Sequence, residues 1–221
     1  MAYRGVIFDL DGTLLDTLDD IADAANTVLA ARGLPTHPVD DYRFFVGDGV
    51  KKLVERIVPP PVKNEALVEQ CLSEMREEYG RNWNVKTRPY DGIPELLTSL
   101  GERGLKRAVL SNKPEALTHA CVAELLSRWP FEAVVGHSDT TPHKPDPTGA
   151  LTLARRLGAQ PADIVLVGDS DIDMKTAVNA GMYPAGATWG FRPREELVAA
   201  GARSLLDRPA DLLALVDNQG D

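Results

Sequence analysis

Cysteine is scarce in this chain of 221 residues, with Cys71 and Cys121 the only two. Two isolated thiols build neither a disulfide framework nor a zinc knuckle, and they read as reduced packing residues. Long apolar runs are missing as well. No stretch approaches the ~20 residues that a membrane-spanning helix needs. The amino terminus, MAYRGVIFDLDG, meets acidic residues after a short apolar run, unlike a signal peptide, so the cytoplasm is the expected location. Basic charge is in deficit too: 24 Lys and Arg stand against 33 Asp and Glu, a net charge of −9. Such a balance repels phosphate backbones, so neither nucleic acid nor an anionic membrane is an expected partner. A small anionic substrate would then need a locally positive pocket, built from lysine, backbone amides or a metal. Internal repeats and low-complexity segments are also lacking.

What is present is a globular composition, 43% hydrophobic and 26% charged. The length falls between one and two domains of ~150 residues. The run Tyr3 to Phe8 stops at a carboxylate and reads as a buried strand. From Asp16 to Arg32 the apolar residues Leu18, Ile21, Ala22, Ala25, Val28 and Leu29 follow a helical period, closed by Gly33 and Pro35. Further helical patterns cover Lys51–Val58 and Asn64–Tyr79, and no strand is evident until Leu105. Beyond Pro89-Tyr90-Asp91-Gly92 the rhythm becomes regular. Helices at Pro94–Arg103, Pro114–Leu126, Pro147–Leu157 and Ser170–Ala180 alternate with strands at Lys106–Leu110, Ala133–Val135, Ile164–Val167 and Tyr183–Ala187. Alternation of this kind predicts an α/β fold, a doubly wound parallel sheet with helices on both faces. The first strand joins that sheet, because alone it could not satisfy its backbone. The expected organisation is a discontinuous core, residues 1–15 and 88–221, interrupted by an all-helical cap, residues 16–87. The tail Asn218-Gln219-Gly220-Asp221 is expected to fray.

Ligands of open α/β sheets bind beyond the carboxyl ends of the strands, so the residues just past each strand carry information. The first strand leads into Asp9-Leu10-Asp11-Gly12-Thr13, the second into Ser111-Asn112 and the fourth into Gly168-Asp169-Ser170-Asp171-Ile172-Asp173. The loop after the third holds His143-Lys144-Pro145. Asp9 and Asp11, two apart, would project the same way from an extended segment. Converging with Asp169 they repel unless a cation sits between them. Hard oxygen ligands with no histidine or cysteine beside them select magnesium. Lys144 would face this acidic cluster. Taken singly, Asp9 and Asp11 could merely cap a turn, Ser111 a helix, and Lys144 could lie in solvent; four strand ends together argue for a site.

These residues carry a resemblance. Asp9-Leu10-Asp11-Gly12-Thr13-Leu14, Ser111-Asn112, Lys144-Pro145 and Gly168-Asp169 to Asp173, in that order, resemble the four motifs of the haloacid dehalogenase superfamily, whose cap the helical insertion also resembles. Within it, Val46-Gly47-Asp48-Gly49-Val50, Leu53-Val54-Glu55-Arg56 and Trp189-Gly190-Phe191 are similar to segments of bacterial phosphoglycolate phosphatases. The resemblance implies a nucleophile at Asp9 that forms an aspartyl-phosphate and also binds magnesium. It implies an acid and base at Asp11, which also gives the metal its backbone carbonyl. Ser111 and Asn112 would hold the phosphoryl oxygens, with Leu10 and Gly12 beside them. Lys144 would neutralise the nucleophile, and Asp169 would complete the metal site. Thr13, Ser170 and Asp173 would support these, Asp173 holding a metal-bound water or Lys144. Arg43, Gly47, Gly49 and Lys51 are the cap residues expected to choose the substrate, a small phosphorylated metabolite.

Other chemistries of the superfamily fit less well. Dehalogenases lack the aspartate at Asp11, similar phosphonatases use a lysine on the first cap helix, and sugar phosphomutases carry histidine and arginine early in it. Asp16 to Ala31 contains none of these. Inorganic pyrophosphate or another phosphomonoester stays open as a substrate. From a different class, a phosphorylatable receiver-like domain shares the acidic site but has neither the insertion nor a second aspartate placed for hydrolysis.

Overall fold

The structure, a computed structural model, describes residues 3–217; the tail expected to fray lies outside them. By its contacts the chain forms two units, one running to Leu15 and resuming at Pro89, the other Asp16–Arg88. In chain order the elements are β1 (Gly5–Phe8), β2 (Leu15–Asp16), α1 (Leu18–Ala31), α2 (Tyr42–Phe45), α3 (Val50–Ile57), α4 (Glu65–Asn82), β3 (Arg88–Pro89) and α5 (Ile93–Glu102). Next come β4 (Lys106–Pro114), α6 (Glu115–Leu125), β5 (Ala133–His137), α7 (Thr148–Leu157), β6 (Ile164–Gly168) and α8 (Asp171–Ala180). β7 (Tyr183–Ala187), α9 (Arg194–Ala199), β8 (Ser204–Leu206) and α10 (Asp211–Asp217) complete them. No helix among the described residues is long and apolar enough to cross a membrane.

The core unit is a six-stranded sheet in the order β5-β4-β1-β6-β7-β8, parallel throughout. Parallel strands buried on both faces need apolar residues at every position. Ile7, Ala108, Leu110, Ile164 and Leu166 join a cluster with Ala150, Leu153, Leu157 and Ala177 of α7 and α8. Val6, Phe8, Val109, Val165 and Val167, of opposite parity, are equally buried. Strand order reverses at β1, which has β4 on one side and β6 on the other. A crevice opens at the carboxyl end of such a switch point, and Asp9 is the residue that leaves it.

Several elements depart from the sequence expectation. β4 runs on to Pro114 rather than stopping at Leu110, because an irregularity between those residues lets pairing with β5 resume at Pro114. β2 and β3, two residues each, pair with one another where the chain crosses between the units. β8, α9 and α10 lie beyond the elements that periodicity predicts.

The helical unit buries the stripe expected of α1, Leu18, Ile21, Ala22, Ala25, Val28 and Leu29. Asp20, on the same helix, is buried too. It accepts hydrogen bonds from the amides of Lys86 and Thr87 and from the Thr87 hydroxyl at 2.8–3.0 Å, which fixes the returning chain against α1. Asn26 is a second internal tie, bridging the His37 backbone and the Tyr42 hydroxyl.

Candidate active site

Asp9 continues the β1 ladder, its amide donating to Val167 O at 2.9 Å. Its Oδ1 accepts from Leu10 N at 2.7 Å and pairs with Lys144 Nζ at 2.7 Å. No hydrogen bond reaches Oδ2 among the described residues. The chain then turns tightly: Leu10 O accepts from Leu14 N and Leu15 N, and Gly12 N donates to Leu15 O. Gly12 has φ 84° and lies so close that a Cβ there would enter the Asp169 carboxylate. The amides of Leu10 and Gly12, expected beside the phosphate, are both engaged within the chain. Gly12 serves the turn and the approach of Asp169.

Lys144 is 5% exposed and bridges Asp9 and Asp173, reaching Asp173 Oδ1 at 2.6 Å. Its place is set by Asn112, whose side-chain Oδ1 accepts from Lys144 N at 2.7 Å while Nδ2 donates to Lys144 O at 3.2 Å. Burial alone would lower the lysine's pKa, but Asp173 and Asp9 more than offset it and the ammonium is held charged. Asp173 is wholly buried, and its Oδ2 accepts from Ser170 Oγ at 2.6 Å and Ser170 N at 3.1 Å, a capping box at the start of α8.

Asp169 accepts from Thr13 Oγ1 at 3.0 Å and from Phe191 N at 2.7 Å. The loop after β7 closes on it, Trp189 Nε1 donating to Thr13 O at 3.0 Å. A Cβ at Gly190 would collide with Asp169 and the Gly12 carbonyl. Burial, then the charge of Asp173, pushes Asp169 up to about 7 against the pull of the Phe191 amide and Thr13 hydroxyl. Burial, then Asp173, also raises Asp9 well above the usual carboxylate range, Lys144 opposing. Ligand oxygens of Asp9, Asp169 and Asp173 lie within 4.8 Å of one another. Asp9 and Asp169, so crowded, are harder to ionise, and a small hard cation among the three carboxylates would relieve them. The donor set fits magnesium.

Asp11 is not in that group. Its Oδ1 pairs with Lys113 Nζ at 2.8 Å, and both side chains are largely buried, at 14% and 4% exposed. Lys113 was missed by sequence reasoning. The signal was its place, two residues beyond Ser111 in the same segment. Ser111 is buried and its Oγ accepts from Lys113 N at 3.2 Å.

The expected cap residues lie in the helical unit. Gly47 and Gly49 have φ 122° and 87°, and Gly49 precedes α3. Between them Asp48 pairs with Arg56, which also donates to Phe45 O at 2.9 Å, so the glycine turn is braced by an arginine. Arg43 lies 3.6 Å from Asp40, and Lys51 pairs with Glu69 at 2.6 Å.

Residues 6–187 match the family described as haloacid dehalogenase-like hydrolase. A phosphoglycolate phosphatase of Aquifex aeolicus is 35% identical over 97% of this chain and 97% of its own. An N-acetylmuramic acid 6-phosphate phosphatase of Pseudomonas aeruginosa is 32% identical over 98% and 96%. A crystal structure from Lactobacillus delbrueckii subsp. bulgaricus has a TM-score of 0.93 at 30% identity, covering 98% of this chain and 99% of that one. The four motif-bearing segments, the buried carboxylate cluster and these similarities over nearly the whole of both chains agree: the chain belongs to the haloacid dehalogenase-like hydrolases.

Proposed function

We propose that this chain is a magnesium-dependent phosphomonoesterase that works through an aspartyl-phosphate on Asp9, with 2-phosphoglycolate as its substrate. The observation that carries the chemistry is the pairing of two carboxylates at the end of the central strand with two separate buried lysines, Asp9 with Lys144 and Asp11 with Lys113. Two adjacent carboxylates held in different environments suit two different roles.

A phosphomonoester dianion approaching a bare carboxylate would be repelled. Lys144 offsets that charge, and Ser111 of β4 supplies a hydroxyl for the phosphoryl oxygens. Asp9 and Asp169, with Asp173 behind them, would hold magnesium, which when bound supplies positive charge beside the transferring group. Asp9 attacks phosphorus, the ester P–O bond breaks, and the leaving oxygen takes a proton from Asp11. Asp11, now a base, removes a proton from the water that hydrolyses the acyl phosphate. Free Asp9, inorganic phosphate and the alcohol result.

The substrate rests on the Aquifex relative's name and on the similar cap segments. The Pseudomonas relative favours a second reading, and the two named substrates share one trait, a carboxylate in addition to the phosphate. Turnover of 2-phosphoglycolate, N-acetylmuramic acid 6-phosphate, pyrophosphate and p-nitrophenyl phosphate, with magnesium and with chelator, decides between them. The highest kcat/KM should fall on 2-phosphoglycolate. A single turnover without recycling would instead indicate a phosphorylatable signalling domain, and full activity in chelator would refute the metal assignment.

A further inference from the structure

Among the described residues two lysines are buried, and only one has a role so far. Lys144 serves the nucleophile. Lys113 lies on β4 with its ammonium on Asp11, and burying an ammonium costs several kcal/mol unless its partner is well placed. Its backbone is pinned on both sides: the amide donates to Ser111 Oγ at 3.2 Å, and the carbonyl accepts from Thr118 Oγ1 at 3.1 Å. Asp11, by contrast, sits in the turn between β1 and β2, and Lys113 Nζ donates to its carboxylate at 2.8 Å. An aspartate in a turn can occupy several χ1 rotamers, and a proton donor divided among them is rarely in place.

We propose that Lys113 is a positioning residue for Asp11. It holds the carboxyl through Oδ1 in one rotamer, so that Oδ2 carries the proton to the leaving oxygen and later accepts one from water. A carboxyl protonated on Oδ2 still accepts a hydrogen bond at Oδ1, so the tether persists in both half-reactions. The inference rests on the reading of Asp11 as acid and base given above.

The test compares kcat and KM of wild type, Lys113→Met, Lys113→Arg, Asp11→Asn and the Asp11→Asn/Lys113→Met double variant at saturating magnesium. Substrates are the best alkyl phosphate of the panel and p-nitrophenyl phosphate, whose leaving group needs little protonation. Lys113→Met should lower kcat on the alkyl phosphate by ~10- to 100-fold and on p-nitrophenyl phosphate by under ~3-fold, with KM little changed. Lys113→Arg should recover much of the loss. In the Asp11→Asn background the lysine substitution should add under ~2-fold, since residues acting as one unit are not additive. Equal losses on both substrates, a raised KM at unchanged kcat (a lysine that binds the substrate's carboxylate instead), or additive effects would each overturn the proposal. Should Lys113→Met not fold, Lys113→Gln keeps a donor to Asp11 and faces the same criteria at smaller magnitude. Asp11→Asn alone tests the acid assignment separately: an absence of leaving-group discrimination there sinks that assignment, while its coupling to the Lys113 variants still decides whether Lys113 acts through Asp11.

Discussion

Asp9 and Asp11 are separated by one leucine, yet their surroundings differ in every respect that matters to reactivity. Asp9 is crowded by Asp169 and Asp173 and neutralised by a shared lysine; Asp11 has a lysine of its own. Asp9→Asn keeps the shape and removes the proposed nucleophile. Turnover should fall by at least ~1000-fold with little change in melting temperature, as expected when an essential nucleophile is lost; activity within a hundredfold of wild type, contamination excluded, would contradict the assignment. The cysteines permit a second residue-level expectation. Burial pushes the Cys121 thiol up to about 11 and raises Cys71 as well, and both are fully buried. Thiolate, not thiol, reacts, so a disulfide reagent at pH 8 should titrate neither cysteine in the native protein and both after unfolding. Rapid native labelling would show that α4 or α6 opens. Residue chemistry was legible in the sequence where it sat just past a strand: Asp9, Lys144 and Asp169, read from three separate segments, stand together with Asp173. Lys113 went unread although it stands two residues beyond Ser111, and the side chain of Asn112 went unread because only the fold brings it to the Lys144 backbone. A lysine in a strand otherwise reads as a solvated one.

At the scale of elements, the site is an assembly of loops, each locked by the next. The Trp189-Gly190-Phe191 loop gives Asp169 an amide and gives Thr13 an indole N–H, while Thr13 bonds Asp169 in turn. Gly190→Ala would drive a methyl into Asp169 and the Gly12 carbonyl. The magnesium concentration needed for half-maximal activity should rise by ~10-fold or more, a typical effect of disturbing the shell around metal ligands; an unchanged requirement would mean that Asp169 takes no part in the metal site. The strands and helices read from periodicity occur, with ends shifted by a few residues. What periodicity could not supply was β2, β3 and β8, too short to show a period, and the continuation of β4 past Leu110, where Ser111, Asn112 and Lys113 look like a polar loop but bridge an irregularity before pairing with β5 resumes at Pro114.

For the molecule as a whole, the carboxylate cluster should make stability depend on metal and pH together. Asp169 is raised in the folded chain to about 7, against ~3.9 unfolded. A carboxyl whose folded value is raised binds more protons folded than unfolded, so its contribution is present below the unfolded value and is lost as pH rises through the folded one. Metal-free protein should therefore lose melting temperature between about pH 4 and pH 7, and magnesium should restore more at pH 8 than at pH 5. Thermal melts in chelator and in magnesium at the two pH values measure this; an equal metal-induced gain at both would count against the cluster as the binding site.

The central strand has a consequence for how the chain is made. β1, Gly5–Phe8, leaves the ribosome well ahead of both its neighbours, which begin at Lys106 and Ile164. The whole of Asp16–Arg88 is synthesised, with its own helix contacts available, before either neighbour exists. During that interval Val6, Ile7 and Phe8, all buried in the finished sheet, have no strand to pair with. Pairings so distant in sequence close slowly, and exposed apolar strands meanwhile invite aggregation. A nascent chain stalled before residue 106 would thus present Val6-Ile7-Phe8 to a chaperone, with the Asp9-to-Leu15 turn directly behind.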